Sequence, residues 1–470
     1  MDSSIPGPES VAHNLISDLG TSLDPTCSSL SITNSDPVLS TRFRAGEAAA
    51  AVLAAHARLA AQIWCRRGGT PQRVEVDVYA AAASLLSFLL QHLPDAQLPL
   101  RIAPTIAFFR GRDDQWIHLH GGFPSLHSGT IALLGCADNA AAIAAAVAHC
   151  NAQDLEDALA ERGLCGARLR SAAEWNTHPQ GVALAAVPLV EVTRIGNAPP
   201  ESLPGPCAGE AGARPLSGLR VLDLTRVLAG PTCARTLAEH GAEVLHIRSP
   251  HLPFIEPFVI DTNPGKRSCY LDLNHPGDVA QLRTLTRTAH VFSQGYRTGA
   301  LAQRGFAAED LAELRPGIIV VSINCYGHTG PWSGRPGWEQ LAQTATGMAC
   351  EHSADQTPAV VPAALTDYLT GHLAALGVMH ALLQQTTDGG SWHVRVSLAR
   401  TAMWIQSLPR TPEGVPPSGV DPKLLAPWWI EMKTAWGRLG RLGPIARMSE
   451  TPPRWELPPV PLGTHPPHWA

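Results

Sequence analysis

Charge is scarce in this sequence. Asp, Glu, Lys and Arg make up 16% of its 470 residues, and 40 acidic against 35 basic side chains leave a net charge of −5. A nucleic-acid surface needs a basic excess, so no nucleic-acid partner is expected. The ten cysteines contain no CxxC pair, and their long spacings fit neither a zinc site nor a small disulfide scaffold. Reduced thiols in a cytoplasmic protein, with no metal, are the simpler account. The opening MDSSIPGPESVAHNLISDLG lacks a basic segment followed by an apolar one. No apolar run reaches about 18 uninterrupted residues. The Ala-rich stretches at 48–61 and 132–148 contain or adjoin His, Arg and Asp, so no membrane span is expected.

What is present is apolar mass for a full core (45%) and an abundance of turn formers, 41 Gly and 41 Pro. Residues 1–42 are polar and turn-rich, and a partly loose order is expected there. Within 43–98, AGEAAAAVLAAHARLAAQIWCR (45–66) predicts a helix with an apolar stripe, GGTPQ a break, and RVEVDVYAAAASLLSFLLQHL a strand running into a helix. Residues 99–180 predict a small α+β unit. Its IAFFRGRDDQWIHLH is a hairpin signal, followed by Ala-rich helices near 126–148 and 152–162. Residues 181–215 thin into Pro, Gly and Glu and predict a linker or return segment.

Residues 219–323, within an expected domain over 216–410, carry the clearest pattern. LRVLDL, AEVLHI, AHVFS and GIIVVSI are buried strands, alternating with helices over PTCARTLAEHG, PGDVAQLRTLTRT and AAEDLAELRP. That alternation predicts a parallel sheet covered on both faces. The fold class expected is α/β, a Rossmann-like parallel sheet domain with a smaller α+β domain N-terminal to it. A Pro-rich return segment fills 411–470. The GxGxxG dinucleotide fingerprint is missing after the first strand, where TRVLAGPTCA has the single Gly230, so a nicotinamide site loses its main support. Gly230–Pro231 still turns into a helix N-terminus. Its N–H groups can meet a phosphate or carboxylate, or form a plain helix start.

An internal similarity runs at an offset of 320. QRVEVDVYAAAASLLSF (72–88) aligns with WHVRVSLARTAMWIQSL (392–408), and the helix beginning at Glu47 then aligns with the one beginning at Asp367. A tandem repeat with a carboxylate at matching positions is expected.

Five collinear blocks carry a resemblance: LSGLRVLDLTRVLAGPTCARTLAEHGAEVLHI, PGKRSCYLDLNHPG, GYRTGALAQRG, LRPGIIVVSINCYGHTGPWSGRPGWEQLAQTATGM and ALTDYLTGHLAALGVMHALLQQTTDGGSWHVRVSL. Spanning about 216–408, they resemble the class III CoA-transferase and alpha-methylacyl-CoA racemase family. That family places its small domain after the catalytic aspartate. Here the equivalent comes first, which implies a rearranged or truncated tandem version. The resemblance implies an acyl-CoA and a small carboxylic acid as partners, a homodimer, and coenzyme A or acyl-CoA as substrate with no tightly bound cofactor.

Moving CoA between carboxylic acids needs a nucleophilic carboxylate that forms a mixed anhydride and then an enzyme thioester. Asp367 matches the family's catalytic aspartate. Local chemistry alone also allows a helix N-cap at Asp367. Glu339, in GRPGWEQLAQ, matches an acidic position near the active centre; its alternative is a solvated helix face. Trp338 stands where racemases keep a proton-transferring His, and His352 and His372 could replace it only from other positions. For CoA the resemblance implies Val227, Leu228 and Gly230 in the first loop, with Arg248 at a strand's carboxyl end. Lys266 and Arg267 are implied for the phosphates, and Tyr296 and Arg297 near adenine. Gly295 and Gln303 depart from the usual Asn and Arg. The function expected is CoA transfer. The alternatives are an acyl-CoA isomerase, racemase or lyase on the same scaffold, or a degenerate acyl-CoA-binding protein.

Overall fold

The strand–helix alternation after residue 216 builds a seven-stranded sheet. In chain order its strands are β1 (Glu191–Gly196), β2 (Arg220–Leu224), β3 (Glu243–Arg248), β4 (Lys266–Tyr270), β5 (Val291–Gln294), β6 (Ile319–Asn324) and β7 (Ser391–Ser397). Across the sheet they run β1-β7-β6-β5-β2-β3-β4. All pairings are parallel except β1 with β7. The order reverses where β2 lies beside β5, and in open α/β sheets such a switch point is where ligands collect. This computed structural model describes residues 6–94, 98, 100, 102–206, 208–353 and 357–470.

Two of these strands depart from the sequence expectation. β1 falls in the segment expected to be a linker. It is a half-buried edge strand, EVTRIG, without a clean apolar alternation. β4, KRSCY, is polar in composition, yet Lys266 is fully buried in it. The segment 1–42 is also more ordered than expected. It holds a helix over Pro8–Ser17 and a strand over Ser28–Thr33 that pairs in parallel with Gln72–Asp77. Met1–Ile5 of the expected loose segment lie outside the described residues. The final segment contains an antiparallel hairpin, Trp429–Thr434 with Gly437–Leu442, before its return along the β4 edge. That return is fixed by backbone bonds from Gly265 to Leu457 and from His465 to Ser268.

Four helices matter for the site: α1 (Ala45–Arg66), α2 (Ala229–Glu239), α3 (Glu339–Thr346) and α4 (Leu365–Asp388). α1 is long and apolar enough to cross a membrane by length and composition, but 89% of that window is buried inside the protein. Every residue of α4 from Leu365 to Leu383 is buried. A helix apolar on all sides must be enclosed by neighbours, and α1 and α2 both pack on it. Gly371 permits the approach of α2. A Cβ there would stand 2.4 Å from the Ala229 carbonyl oxygen and 2.7 Å from Thr232 Cβ.

The small α+β unit pairs Ala107–Arg110 with Trp116–Leu119, adds Gly166–Arg168, and packs helices behind them. It is fastened to the sheet domain by polar side chains. The Gln180 amide donates to the Tyr326 and Thr329 carbonyls at 2.7 and 2.8 Å, and its oxygen accepts from Trp332 N–H at 2.7 Å. Arg335 reaches back to Asp157 at 2.9 Å.

Gly371→Ala should force α2 and α4 apart. We expect a loss of about 1–3 kcal/mol, measured by urea unfolding.

Candidate active site

The residues that open α3 and α4 meet at one carboxylate. Trp338 precedes α3 in extended conformation and Glu339 is its first helical residue. The Glu339 side chain does not face solvent as a surface acid would; it is 4% exposed and turned towards the start of α4. There it accepts from Thr366 N–H (3.0 Å), Thr366 Oγ1 (2.7 Å) and Asp367 N–H (2.5 Å), and from Gln343 Nε2 (2.6 Å). A helix N-terminus exposes unpaired N–H groups and the positive end of a dipole. Glu339 therefore caps α4 from another element. The residue before α4 is Ala364, which offers no side-chain cap.

Asp367 is thereby released from the capping role. It is the third residue of α4, 7% exposed, and no donor among the described residues bonds its carboxylate. Burial, and then the neighbouring Glu339 charge, push its pKa well above the usual carboxylate range. Burial also raises Glu339, but its hydrogen bonds oppose that rise. The donors therefore hold the negative charge of the pair on Glu339 and leave the shared proton on Asp367.

Asp367 and Glu339 line a cavity of about 480 Å³. Thr225 and Arg226 after β2, Gly295 and Tyr296 after β5, and Cys325 after β6 form its wall, so it lies over the switch point of the sheet. Phe123, Ser125, Leu126 and Cys165 of the small unit close the opposite side. Val227, Gly230, Tyr296 and Arg297, expected from the sequence as CoA contacts, all line it. Val227 holds φ at 68°, a left-handed conformation unfavourable for a β-branched residue and a mark of local strain. Ala229 and Gly230 bring the uncapped N-terminus of α2 to the same wall.

Four expected CoA contacts are placed otherwise. Lys266 is 0% exposed, and its ammonium donates to Asp223 at 2.8 Å and the Pro231 carbonyl at 2.7 Å, which leaves it no route to a phosphate. Arg267 lies outside the cavity, on β4, and donates to the His468 carbonyl at 3.0 Å. Arg248 is buried behind the wall, lining a small void with Arg226 and Pro253. Leu228 is buried too and faces a second, apolar chamber. Nor do the two histidines supply an imidazole. His352 does not line either space, and His372 is in the core, bonded to Thr236 at 3.0 Å and stacked on His56 at 5.3 Å.

Sequence reasoning missed Arg226 and Arg335 as cavity residues. Arg226 directly precedes Val227 and rests on the Phe123 ring at 4.4 Å, bridging the two units. Burial lowers its pKa to about 10, so it stays cationic at neutral pH. Arg226 and Arg297 have no carboxylate partner among the described residues; Arg297 donates to the Gly163 carbonyl at 2.8 Å. Their adjacency to residues already singled out was the available signal.

The Glu47 region repeats part of this geometry. Glu47 is the third residue of α1, and its N–H donates to Asp36 at 2.8 Å much as Asp367 N–H donates to Glu339. Glu47 is paired with Arg44 at 2.9 Å and reaches neither space. Metal-ligand side chains gather elsewhere, at His56, Glu239 and His240, whose ligand atoms lie within 4.8 Å of one another. That cluster is in the core away from the cavity.

Glu339→Gln keeps one acceptor oxygen but sets an amide donor against backbone N–H groups. We expect it to destabilise the fold by about 1–3 kcal/mol, read by urea unfolding at neutral pH. Asp367→Asn should act in the opposite direction. Its raised native pKa means the folded state retains a proton that the unfolded chain releases above about pH 4, so stability falls as pH rises through that window. The variant should gain at least about 1 kcal/mol over wild type at pH 8 and nothing below about pH 4, as followed by thermal melts across pH.

Comparison with known proteins converges on this region. Residues 216–413 match the model of CoA-transferase family III. An acyl-CoA transferase of Gibberella moniliformis is 30% identical over 426 residues, covering 78% of this chain and 74% of that protein. Acetyl-coenzyme A transferase nodX of Hypoxylon pulicicidum is 32% identical over 334 residues, 67% of this chain and 56% of that protein. The succinate–glutarate CoA-transferase of Agrobacterium fabrum is 33% identical over 203 residues, 39% of this chain and 51% of that protein. The chain thus spans little more than half the length of the last two. With similarity extending over most of the first relative and the matched segment carrying both carboxylates, the chain belongs to CoA-transferase family III.

Proposed function

We propose that the protein transfers CoA from an acyl-CoA thioester to a carboxylic acid, with Asp367 as the nucleophile. The observation that carries this reading is the division of labour between two buried acids. Glu339 takes up the helix N–H groups, and Asp367 is left facing the cavity without a donor on its carboxylate. A carboxylate stripped of hydrogen bonds and water is a stronger nucleophile than a solvated one.

The ionised Asp367 attacks the thioester carbonyl carbon, the C–S bond breaks, and CoA thiolate leaves an acyl–aspartyl anhydride. The thiolate then attacks the aspartyl carbonyl, expelling the first carboxylic acid as its carboxylate and forming an aspartyl-CoA thioester. An acceptor carboxylate attacks that thioester and displaces thiolate again. Attack of this thiolate on the acceptor's acyl carbon gives the new acyl-CoA and restores Asp367. Each step forms one bond and breaks one, and no net proton is consumed. Glu339 acts by positioning: it fixes the first turn of α4 and hence the Asp367 side chain. The unneutralised Arg226 and Arg297 are suited to the nucleotide phosphates, and the half-buried Tyr296 ring to the adenine. Coenzyme A enters as substrate, with no tightly bound cofactor, and the assembly in this reading is a homodimer.

The test is exchange of labelled CoA between an acyl-CoA and a free acid. Asp367→Ala should lower the rate by at least about 10³-fold, and hydroxylamine should trap the wild-type acyl enzyme at Asp367. Undiminished exchange in the variant would remove Asp367 from the mechanism. Because Asp367 must lose its proton to attack, the rate should rise with pH through its raised pKa and fall on the acid side.

A further inference from the structure

A second chamber, of about 240 Å³, shares the carboxylate pair with the arginine-lined cavity. Val227, Trp338, Glu339 and Asp367 line both spaces, so the two meet at the proposed nucleophile. Their chemistry differs. Away from the junction, the walls of the second chamber include Phe88, Ile106, Ile255, Phe258 and Val361. Phe88 meets Phe258 edge-on at 4.9 Å, and Trp338 stacks on His120 at 4.4 Å, which makes a rigid aromatic throat.

No Lys or Arg is among the described lining residues. The amide groups of Gln343 are both taken, one by Glu339 and the other by Val361 N–H. Burial lowers the His120 pKa to about 4, so its ring is neutral at physiological pH. Among the described lining residues, the charge that faces the chamber is therefore the single negative charge of the Glu339–Asp367 pair at its inner end. A second carboxylate carried on an acyl chain would be buried here beside like charge, with no cation among the described lining residues to meet it, which is strongly unfavourable.

From this we infer that the acyl group of the substrate is apolar and of medium length, seated in this chamber while the CoA portion lies in the arginine-lined cavity. The inference rests on the proposed transferase reading and narrows its substrate class to monocarboxylic acyl groups, aliphatic or aromatic. The volume corresponds to roughly eight heavy atoms at about 30 Å³ each. Phe88 and Ile106 precede the family-matched segment 216–413, so part of the selectivity is supplied by the N-terminal part of this chain. The mouth carries Leu89 and Ile102, which are 58% and 69% exposed, and extends the apolar path outward.

The experiment separates binding from turnover. Unreactive S-alkyl-CoA thioethers of two to ten carbons, and ω-carboxyalkyl-CoA thioethers of the same lengths, are titrated calorimetrically into the wild-type protein. Affinity should rise about fourfold for each added methylene up to about eight carbons and then level, with each carboxylated analogue at least tenfold weaker than its alkyl counterpart. Ile106→Lys places a cation on the partly exposed wall, where the long stem can reach solvent. It should weaken the octyl analogue and narrow or reverse the gap to the carboxylated one. Affinity independent of chain length, or tighter binding of carboxylated analogues by wild type, would overturn the inference. Chain-length-dependent binding together with absent CoA exchange would leave the chamber assignment standing and remove the transferase reading.

Discussion

The Glu339 carboxylate at the N-terminus of α4 is the constraint on which the site depends. Helix α4 is enclosed by protein along nearly its whole length, so its first turn has no access to bulk water to satisfy its N–H groups. An acid on the same chain segment could have met that need, and Asp367 is the acid at hand. Glu339, 28 residues earlier, meets it instead. That choice fixes the junction of α3 and α4, leaves Asp367 without donors, and sets a negative charge beside it. The reactivity proposed for Asp367 and the stability of the helix are thus opposite faces of one contact.

The same contact places two like charges in a buried space. Proteins tolerate such an arrangement when one carboxylate is fully hydrogen-bonded and the other can hold a proton. Four donors on Glu339 and none on Asp367 satisfy that condition. At Glu47 the equivalent tension is resolved with Arg44, and the acid is neutralised in place. Two similar helix starts therefore differ in whether a cation is supplied, and only the helix without one borders the cavity.

How much of this was legible in the sequence depended on whether the decisive contact was local. Strands made of continuous apolar runs, such as RVLDL and IVVSIN, announce themselves because both faces are buried. The edge strand EVTRIG does not, since half its surface is open and its polar residues resemble a linker. Lys266 was implied as a phosphate ligand by the family resemblance, from its place in PGKRS. Its partner, Asp223, lies 43 residues away on β2, with β3 between the two strands, and the buried pair exists only in three dimensions. The identity of the α4 cap was hidden for the same reason. Capping is recognisable when the acid immediately precedes the helix, and Glu339 arrives through tertiary structure. Asp367 itself was singled out by the ordered blocks around it, although its local sequence alone favoured a cap.

The position of the cavity follows from topology, and its selectivity follows from what the remainder of the chain adds. The switch point between β2 and β5 would hold a ligand in any sheet of this order, and that accounts for the arginine-lined side. The apolar side has another origin. Phe88 lies at the end of the segment after α1, and Ile106 leads into the small unit, so neither belongs to the βα pattern. In the proposed reading, the chemistry is held by the sheet and its two acids, while the shape of the acyl group is set by parts packed against them. The bond between Glu339 and α4 joins these functions, because Trp338, the residue before it, forms the wall shared by both spaces. Any shift of the cap would move Asp367 and the wall between the two spaces together.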